Sequence, residues 1–181
     1  MRYLKLTLSM LLLMVFVQGC LLFNTVSYEV NIERETSGSV NMQVNDIRSD
    51  ALNVSQLDED KNQLFNFMWK SQDFVQQMKE EGKIITDRQL YTMNGKLYGN
   101  ISYNFTDITT VEGLQYQAPF YFLTLNPEDS IVSTNGEVIL SDGLKRIMWD
   151  NSIQKLKFEM FSVDVEKGNL VELSQYLEAE K

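Results

Sequence analysis

Alternating apolar and polar residues predict a series of antiparallel strands. Apolar side chains recur at every second position over 26–32 and again over 40–44, with a glycine-containing turn between them. This spacing predicts a hairpin in which each strand buries one face. Asn94-Gly95 predicts a second hairpin through a type I′ turn. Gly99 interrupts the following strand and indicates either a bulge or a close approach of another part of the chain.

The second half of the chain also predicts strands joined by tight turns. Residues 120–125 form an apolar run, and Asn135-Gly136 predicts a third hairpin between the segments on either side of it. The segments 144–149 and 156–165 are expected to pair with each other across the turn between them. These patterns predict a sheet built mainly from antiparallel hairpins.

One long helix interrupts the predicted strands. An acidic triplet at 58–60 places negative charge where a helix N-terminus favours it, and Gly82 suits the position just after a helix C-terminus. We therefore predict a helix over about 60–81, and its wide apolar stripe predicts that it packs on the sheet. A short C-terminal helix is predicted after Asn169, its N-cap, with an apolar face formed by Leu170, Leu173 and Leu177.

These elements place the chain in the α+β class, with a mainly antiparallel sheet, one long helix packed on it and a short C-terminal helix. The sequence contains no internal repeat and no linker rich in glycine, serine or proline. We therefore expect a single mature domain over residues 20–181, which is long enough to bury a core without disulfides. Residues 1–19 are assigned to a signal peptide.

The assignment of a signal peptide rests on an apolar stretch near the N-terminus. Arg2 and Lys5 precede an apolar run over 6–17, which has the length expected of the central region of a signal peptide. The run leads to Cys20, the only cysteine in the chain. Because the apolar stretch can be extended to residue 23, an uncleaved membrane anchor is the alternative interpretation.

The run closes with Val17-Gln18-Gly19-Cys20, which resembles the lipobox of bacterial lipoproteins. The resemblance implies cleavage before Cys20 and attachment of acyl chains, such as palmitate, to that residue. Two or more chains hold a protein firmly at a membrane. The resemblance also implies a place in the cell envelope, on the outer membrane facing the periplasm if the cell has two membranes. A thiol committed to lipid leaves no internal disulfide.

Composition argues against several kinds of chemistry. The chain carries 16 Lys+Arg against 25 Asp+Glu, a net charge of −9, so its surface repels nucleic-acid phosphates. It has no histidine, which removes histidine-dependent catalytic triads and the commonest zinc ligand. No glycine-rich phosphate loop follows a predicted strand. We therefore expect no enzymatic activity, no nucleic-acid partner, no metal and no cofactor.

Aromatic residues crowded on the central strands form the candidate binding site. A curved sheet under a helix can enclose an apolar cavity, and tyrosine hydroxyls can orient a ligand within it. The alternatives are that the rings fill the core or form a protein interface. The candidate pocket residues are Tyr98, Tyr103, Phe105, Phe120 and Phe122.

Three short stretches, at 35–40, 135–138 and 147–150, resemble the LppM-type lipoprotein domain. The order of a hairpin, a long helix and further hairpins is similar as well. Members of that family are lipid-anchored envelope proteins without an established enzymatic activity. The resemblance implies a noncatalytic envelope lipoprotein, and it carries no catalytic residue over to this chain.

Two hypotheses for the function follow from these observations. The first is an interaction or structural module, held at the membrane through Cys20 and bound to an unidentified protein of the envelope. The second is a binder or carrier of an apolar ligand, such as a lipid, in a cavity between the sheet and the long helix. A solid core would favour the first hypothesis, and a cavity would favour the second.

Overall fold

The computed structural model describes residues 21–141, 143–161 and 170–180. The predicted lipidation site Cys20, the lipobox residues Val17, Gln18 and Gly19, and the predicted cap Asn169 lie outside the described residues. The described strands are β1 (Leu21–Leu22), β2 (Thr25–Arg34), β3 (Ser37–Asn45), β4 (Arg48–Ser49), β5 (Lys83–Met93), β6 (Lys96–Phe105), β7 (Gln115–Gln117), β8 (Phe120–Leu125), β9 (Ile131–Thr134), β10 (Glu137–Ser141), β11 (Leu144–Asp150), β12 (Lys155–Phe161) and β13 (Val171–Glu172). The described helices are α1 (Val54–Lys61), its π-helical continuation (Asn62–Lys70), α2 (Gln72–Glu80), and two 3₁₀ helices (Ile108–Thr110 and Leu173–Glu180).

Six strands form the larger sheet, in the order β5-β6-β3-β2-β12-β9, and all neighbouring strands are antiparallel. The two hairpins predicted in the first half of the chain are confirmed, because β2 pairs with β3 and β5 pairs with β6. Asn94 and Gly95 have φ values of 52° and 78°, as a type I′ turn requires. The α+β class predicted from the sequence is therefore confirmed.

A four-stranded sheet, termed the smaller sheet, has the order β10-β11-β8-β7, and a minor three-stranded sheet has the order β1-β4-β13. The smaller sheet shows that the third predicted hairpin is wrong. The strand before Asn135-Gly136, β9, pairs with β12 in the larger sheet, whereas the strand after it, β10, pairs with β11 in the smaller one. A Cβ on Gly136 would lie 2.7 Å from atoms of both Ile147 and Trp149. Glycine is required here because the chain crosses between sheets against the Trp149 ring, and not because a tight turn needs it.

The predicted pairing of segments 144–149 and 156–165 is also wrong over the described residues, which exclude 162–165. Strand β11 pairs with β8 and β10, and strand β12 pairs with β2 and β9, so the two belong to different sheets. Between them, Asp150 accepts hydrogen bonds from the backbone N–H groups of Ser152 and Ile153, each at 2.9 Å. The chain therefore leaves one sheet after Asp150, and each strand pairs with strands that precede it in the sequence.

The long predicted helix begins earlier than expected. Its first residue is Val54, and the side chain of Asn53 caps it by accepting a hydrogen bond from the N–H of Gln56 at 3.0 Å. The acidic triplet at 58–60 therefore lies within the helix instead of at its N-terminus. Asp60 is buried there and accepts a hydrogen bond from the Ser49 hydroxyl at 2.5 Å.

The helix is also divided. It ends at Lys70 because Ser71 is extended, with φ −70° and ψ 140°. The Ser71 side chain then caps α2 by accepting a hydrogen bond from the N–H of Asp73 at 2.9 Å. The second half ends where the sequence predicted, with Gly82 at a φ of 83°. One serine thus replaces a single long helix with two helices that are capped separately.

The described residues form two apolar cores. The larger core joins both sheets: Trp149 of β11 lies with its ring centroid 5.9 Å from that of Phe158 on β12, and Phe158 stacks on Tyr28 of β2 at 4.7 Å. The smaller core lies under the π-helical continuation of α1 and the C-terminal 3₁₀ helix, where Leu173 and Leu177 of the predicted apolar face are buried. Its buried members are Ile47, Leu64, Phe65, Leu97, Leu173 and Leu177.

Candidate functional site

An apolar cleft lies between the larger sheet and the π-helical part of helix α1. The sheet forms its floor, because alternation along each strand places one set of side chains on this face. Tyr28 on β2 is in register with Met42 on β3, Met42 with Ile101 on β6, and Ile101 with Arg88 on β5. Four neighbouring strands therefore contribute side chains to one row across the floor.

Gly99 allows close packing in the floor of the cleft. It is in register with Val44 on one side and Leu90 on the other, and the irregular pairing in β5 lies farther along, after Ile85. A Cβ on Gly99 would lie 3.3 Å from Cδ1 of Ile47 and 3.5 Å from Cδ2 of Leu90. The sequence predicted either a bulge at Gly99 or a close approach of another part of the chain. The close approach, by Ile47, is confirmed, and no bulge lies at Gly99.

The wall of the cleft comes from the helix. Leu64 and Met68 are four residues apart and so lie on one face of the helix, with Trp69 beside them. Leu64 is buried, whereas Met68 and Trp69 are half-buried. The wall therefore exposes part of a methionine and part of an indole ring, which are two adaptable apolar surfaces, to whatever enters the cleft.

The cleft has a volume of about 230 Å³. This is below the roughly 300–1,000 Å³ of pockets that hold drug-sized ligands, so the cleft suits a narrow ligand. Leu21 and Phe23 also line it, and they follow directly after the predicted lipidation site at Cys20. Two residues that line the cleft therefore lie close in sequence to Cys20, where the sequence predicts membrane attachment.

Arg88 is the one charged side chain among the described residues that line the cleft. Its Nη1 donates a hydrogen bond to the carbonyl oxygen of Met68 at 2.8 Å, and its guanidinium lies 6.0 Å from the centre of the Phe74 ring. Desolvation lowers the pKa of this guanidinium, which nevertheless stays charged at neutral pH. The cleft therefore combines an apolar surface with a single positive charge.

The tyrosine hydroxyls near the cleft stay neutral. Burial raises the pKa of Tyr28, and the negative charge of Glu112 raises it further. The same two causes, in the same order, raise the pKa of Tyr103. Neither phenol supplies a negative charge to balance Arg88 at physiological pH.

The structure does not bring the five predicted pocket residues together. Tyr103 and Phe105 are buried in the larger core. Tyr98 lies on the opposite face of the sheet, where it stacks on Tyr91 with ring centroids 5.5 Å apart. The reason is the alternation along β6, which directs Tyr98 away from the face that Gly99 occupies.

The other two predicted pocket residues lie on the smaller sheet. Phe120 is 39% exposed, and Phe122 lies under the Arg146 guanidinium at 5.3 Å from its ring centre. Tyr121 between them is 3% exposed, because successive side chains of a strand face opposite sides. None of the five lines the cleft, so other residues form the cavity that lies between sheet and helix.

Sequence reasoning missed Arg88 and the residues beside it. The spacing of residues along β5 gave a partial indication. Arg88 stands two residues before Leu90 and so shares its face of the strand. The register shift after Ile85 breaks the alternation earlier in β5 and hides this face. The sequence places Trp69 within the predicted helix, and only the packing shows that it borders a cleft.

Other kinds of site are not seen in the described ranges. Within 21–141, 143–161 and 170–180, no group of three or more acidic, cysteine or histidine residues is placed to hold a metal ion. In those same ranges no helix combines the length and the apolar character needed to span a membrane.

Comparison of the chain with models of protein families, with curated proteins and with solved structures found no match. The resemblances to the lipobox and to the LppM-type domain therefore stay predictions. Function has to be inferred from the cleft and from the residues around it.

Proposed function

We propose that this protein is a noncatalytic component of the cell envelope, anchored through lipid on Cys20, that binds an apolar ligand in the cleft between sheet and helix. The observation that carries the proposal is the cleft itself, which is lined almost entirely by apolar side chains. Pockets with this character bind ligands by removing apolar surface from water. The absence of histidine from the sequence supports binding over catalysis.

The position of the cleft supports a ligand that comes from a membrane. Leu21 and Phe23, two of its lining residues, stand one and three positions after Cys20. A lipid anchor on Cys20 would hold these residues, and with them the cleft, within a few residues' length of the bilayer surface. A lipid leaving the bilayer would then have a short path to an apolar surface.

The expected affinity comes from apolar burial. Each methylene group transferred from water into the cleft contributes about 0.8 kcal/mol. Binding must also offset the lost freedom of the ligand, estimated at roughly 4–15 kcal/mol for association in general. A ligand therefore has to bury several methylene groups, which favours an alkyl chain over a small apolar molecule.

Analysis of co-purified lipid tests the proposal. The full chain is purified from bacterial membranes, and organic extracts are compared by mass spectrometry for the wild type and for Ile101→Trp, which fills the floor of the cleft. The matched control is Ser102→Trp, on the same strand but on the opposite face, in register with Asn41. We expect Ile101→Trp to lower the bound lipid by about tenfold, which corresponds to the loss of roughly two buried methylenes. Equal lipid content in all three forms would refute the proposal.

A second candidate function, binding of a protein partner, is supported by an exposed edge strand. In the described part of the chain, strand β10 lies at an edge of the smaller sheet and pairs with β11 alone. Val138 and Leu140 on this strand are 44% and 72% exposed. An edge strand with exposed apolar side chains is a surface to which another chain can add a strand. Affinity purification of the full chain that recovers one specific envelope protein would support this second function.

A further inference from the structure

Arg88 sits in an apolar cleft without a balancing charge. No ion pair joins it to an acidic side chain in the part of the chain that the structure describes. Desolvation is the one cause that shifts its pKa, which agrees with the lack of a carboxylate nearby. Arg88 is half-buried, so its guanidinium has lost part of its contact with water. Even partial removal of a charged group from water without a partner costs free energy, and a ligand of opposite charge would offset that cost.

We propose that the ligand is a long-chain fatty acid, whose carboxylate pairs with the Arg88 guanidinium and whose alkyl chain lies on the apolar floor of the cleft. This inference rests on the proposed function and specifies its ligand. A guanidinium has five N–H donors, and a single one is used by the Met68 carbonyl among the described residues. The others can form two parallel hydrogen bonds with the two oxygens of a carboxylate.

The row of floor residues fits a ligand with one alkyl chain and one negatively charged group. Arg88 is at one end of the row, followed by Ile101, Met42 and Tyr28 on the next three strands. Three strand spacings span roughly 14 Å, at about 4.8 Å per spacing. The narrow volume of about 230 Å³ favours a single alkyl chain over the two chains of a phospholipid. One guanidinium balances one carboxylate, so the charges match as well.

Photolabelling distinguishes this ligand from a neutral one. The full chain is placed in phosphatidylcholine vesicles with a palmitic acid that carries a diazirine on its chain, or with the alcohol of the same length and the same diazirine. Labelled peptides are mapped by mass spectrometry in the wild type, Arg88→Gln and Arg88→Lys. The matched control is Arg146→Gln, which removes an arginine that lies on the smaller sheet over Phe122.

We expect the acid to label the cleft peptides around Met68 and Ile101 about tenfold more than the alcohol does, as one charge-assisted pair provides. Arg88→Gln is expected to reduce labelling by the acid to the level of the alcohol, Arg88→Lys to keep part of the difference, and Arg146→Gln to change nothing. Equal labelling by acid and alcohol in the wild type would overturn the fatty-acid inference while leaving an apolar ligand in place. No labelling of the cleft by either probe, in the wild type or in a Cys20→Ser chain that cannot carry the lipid, would overturn both the inference and the proposed function.

The lipid predicted on Cys20 is the competing occupant, and the same experiment detects it. Labelling that is absent in the wild type but present in a Cys20→Ser chain would show that the chain's own lipid fills the cleft. That result would overturn the fatty-acid inference. Equal labelling of the wild type and Cys20→Ser by the acid would support it.

Discussion

The side chain of Asn135 joins the two sheets, and its removal is expected to destabilise the protein strongly. Its Oδ1 accepts hydrogen bonds from the indole Nε1 of Trp149 in the smaller sheet and from the backbone N of Lys157 in the larger one, both at 2.8 Å. Its Nδ2 donates to the carbonyl oxygen of Lys155, also at 2.8 Å. Trp149 is 1% exposed, so its indole N–H depends for an acceptor on Asn135, which itself lies at the surface.

The magnitude follows from these three hydrogen bonds. Each contributes about 0.5–1.5 kcal/mol to the free energy of unfolding, and a buried donor left without an acceptor costs about 1–3 kcal/mol. The backbone groups of Lys155 and Lys157 lie near the surface and can regain hydrogen bonds to water. We therefore expect Asn135→Ala to lower the free energy of unfolding by about 2–4 kcal/mol. For a domain of this size the corresponding fall in Tm is about 5–15 °C.

Urea unfolding of the full chain in a non-ionic detergent, followed by circular dichroism, measures this change. Asn41→Ala, at an exposed position of β3, is the control and is expected to stay within about 0.5 kcal/mol of the wild type. A double-mutant cycle with Trp149→Phe isolates the contact with the indole. Because phenylalanine has no N–H to satisfy, Asn135→Ala is expected to cost about 1–2 kcal/mol less in that background. An equal cost in both backgrounds would refute the role given to the indole.

Two buried carboxyls are expected to respond to pH in opposite directions. Burial opposes ionisation of Asp46, but the hydrogen bonds and charges of Arg48 and Lys96 outweigh it and lower its pKa. The ionised Asp46 carboxylate therefore stabilises the protein above pH 3.8, the ordinary pKa, and this stabilisation is lost as the pH falls through the lowered pKa. Asp46→Asn is expected to lower the free energy of unfolding by about 1.5–3 kcal/mol at neutral pH and by little in acid. Urea titrations at several pH values measure this difference. Burial raises the pKa of Asp60, and the hydrogen bond from Ser49 does not offset this. The wild type therefore loses stability as the pH rises through that raised pKa, so Asp60→Asn is expected to be the more stable form at neutral pH, and a less stable Asp60→Asn in the same titrations would contradict this.

Local patterns predicted the parts of the fold that local chemistry determines. Asn94-Gly95 makes a type I′ turn because both positions adopt a positive φ, which few other residue pairs tolerate. Asn135-Gly136 carries the same two letters but lies at a crossing between sheets, where the ring of Trp149 leaves no room for a Cβ. That distinction depends on Trp149, which lies thirteen positions after Gly136, and the alternation of apolar and polar residues cannot reveal it.

The candidate site was predictable in its location but not in its composition. A cavity between sheet and helix follows from a wide apolar stripe facing a curved sheet. The prediction selected Tyr98 and Phe122 because they are aromatic, whereas the face of a strand is set by the parity of the position and by bulges. The register shift after Ile85 decides which residues of β5 face the cleft, and it depends on pairing with β6. Arg88 could be assigned only once that pairing was known.

The cleft exists because a second sheet and a helix cover different parts of the six-stranded sheet. The smaller sheet has four strands and covers part of the six-stranded sheet, and the π-helical continuation of α1 covers another part. Tyr28 belongs to the first core and Leu64 to the second, and both line the cleft, so the cleft lies where the two cores meet. A ligand bound there would contact both cores at once. A ligand that binds only the folded state stabilises that state, by about 2.7 kcal/mol at a ligand concentration of 100 Kd. A ligand in the cleft would therefore stabilise the packing between the two cores.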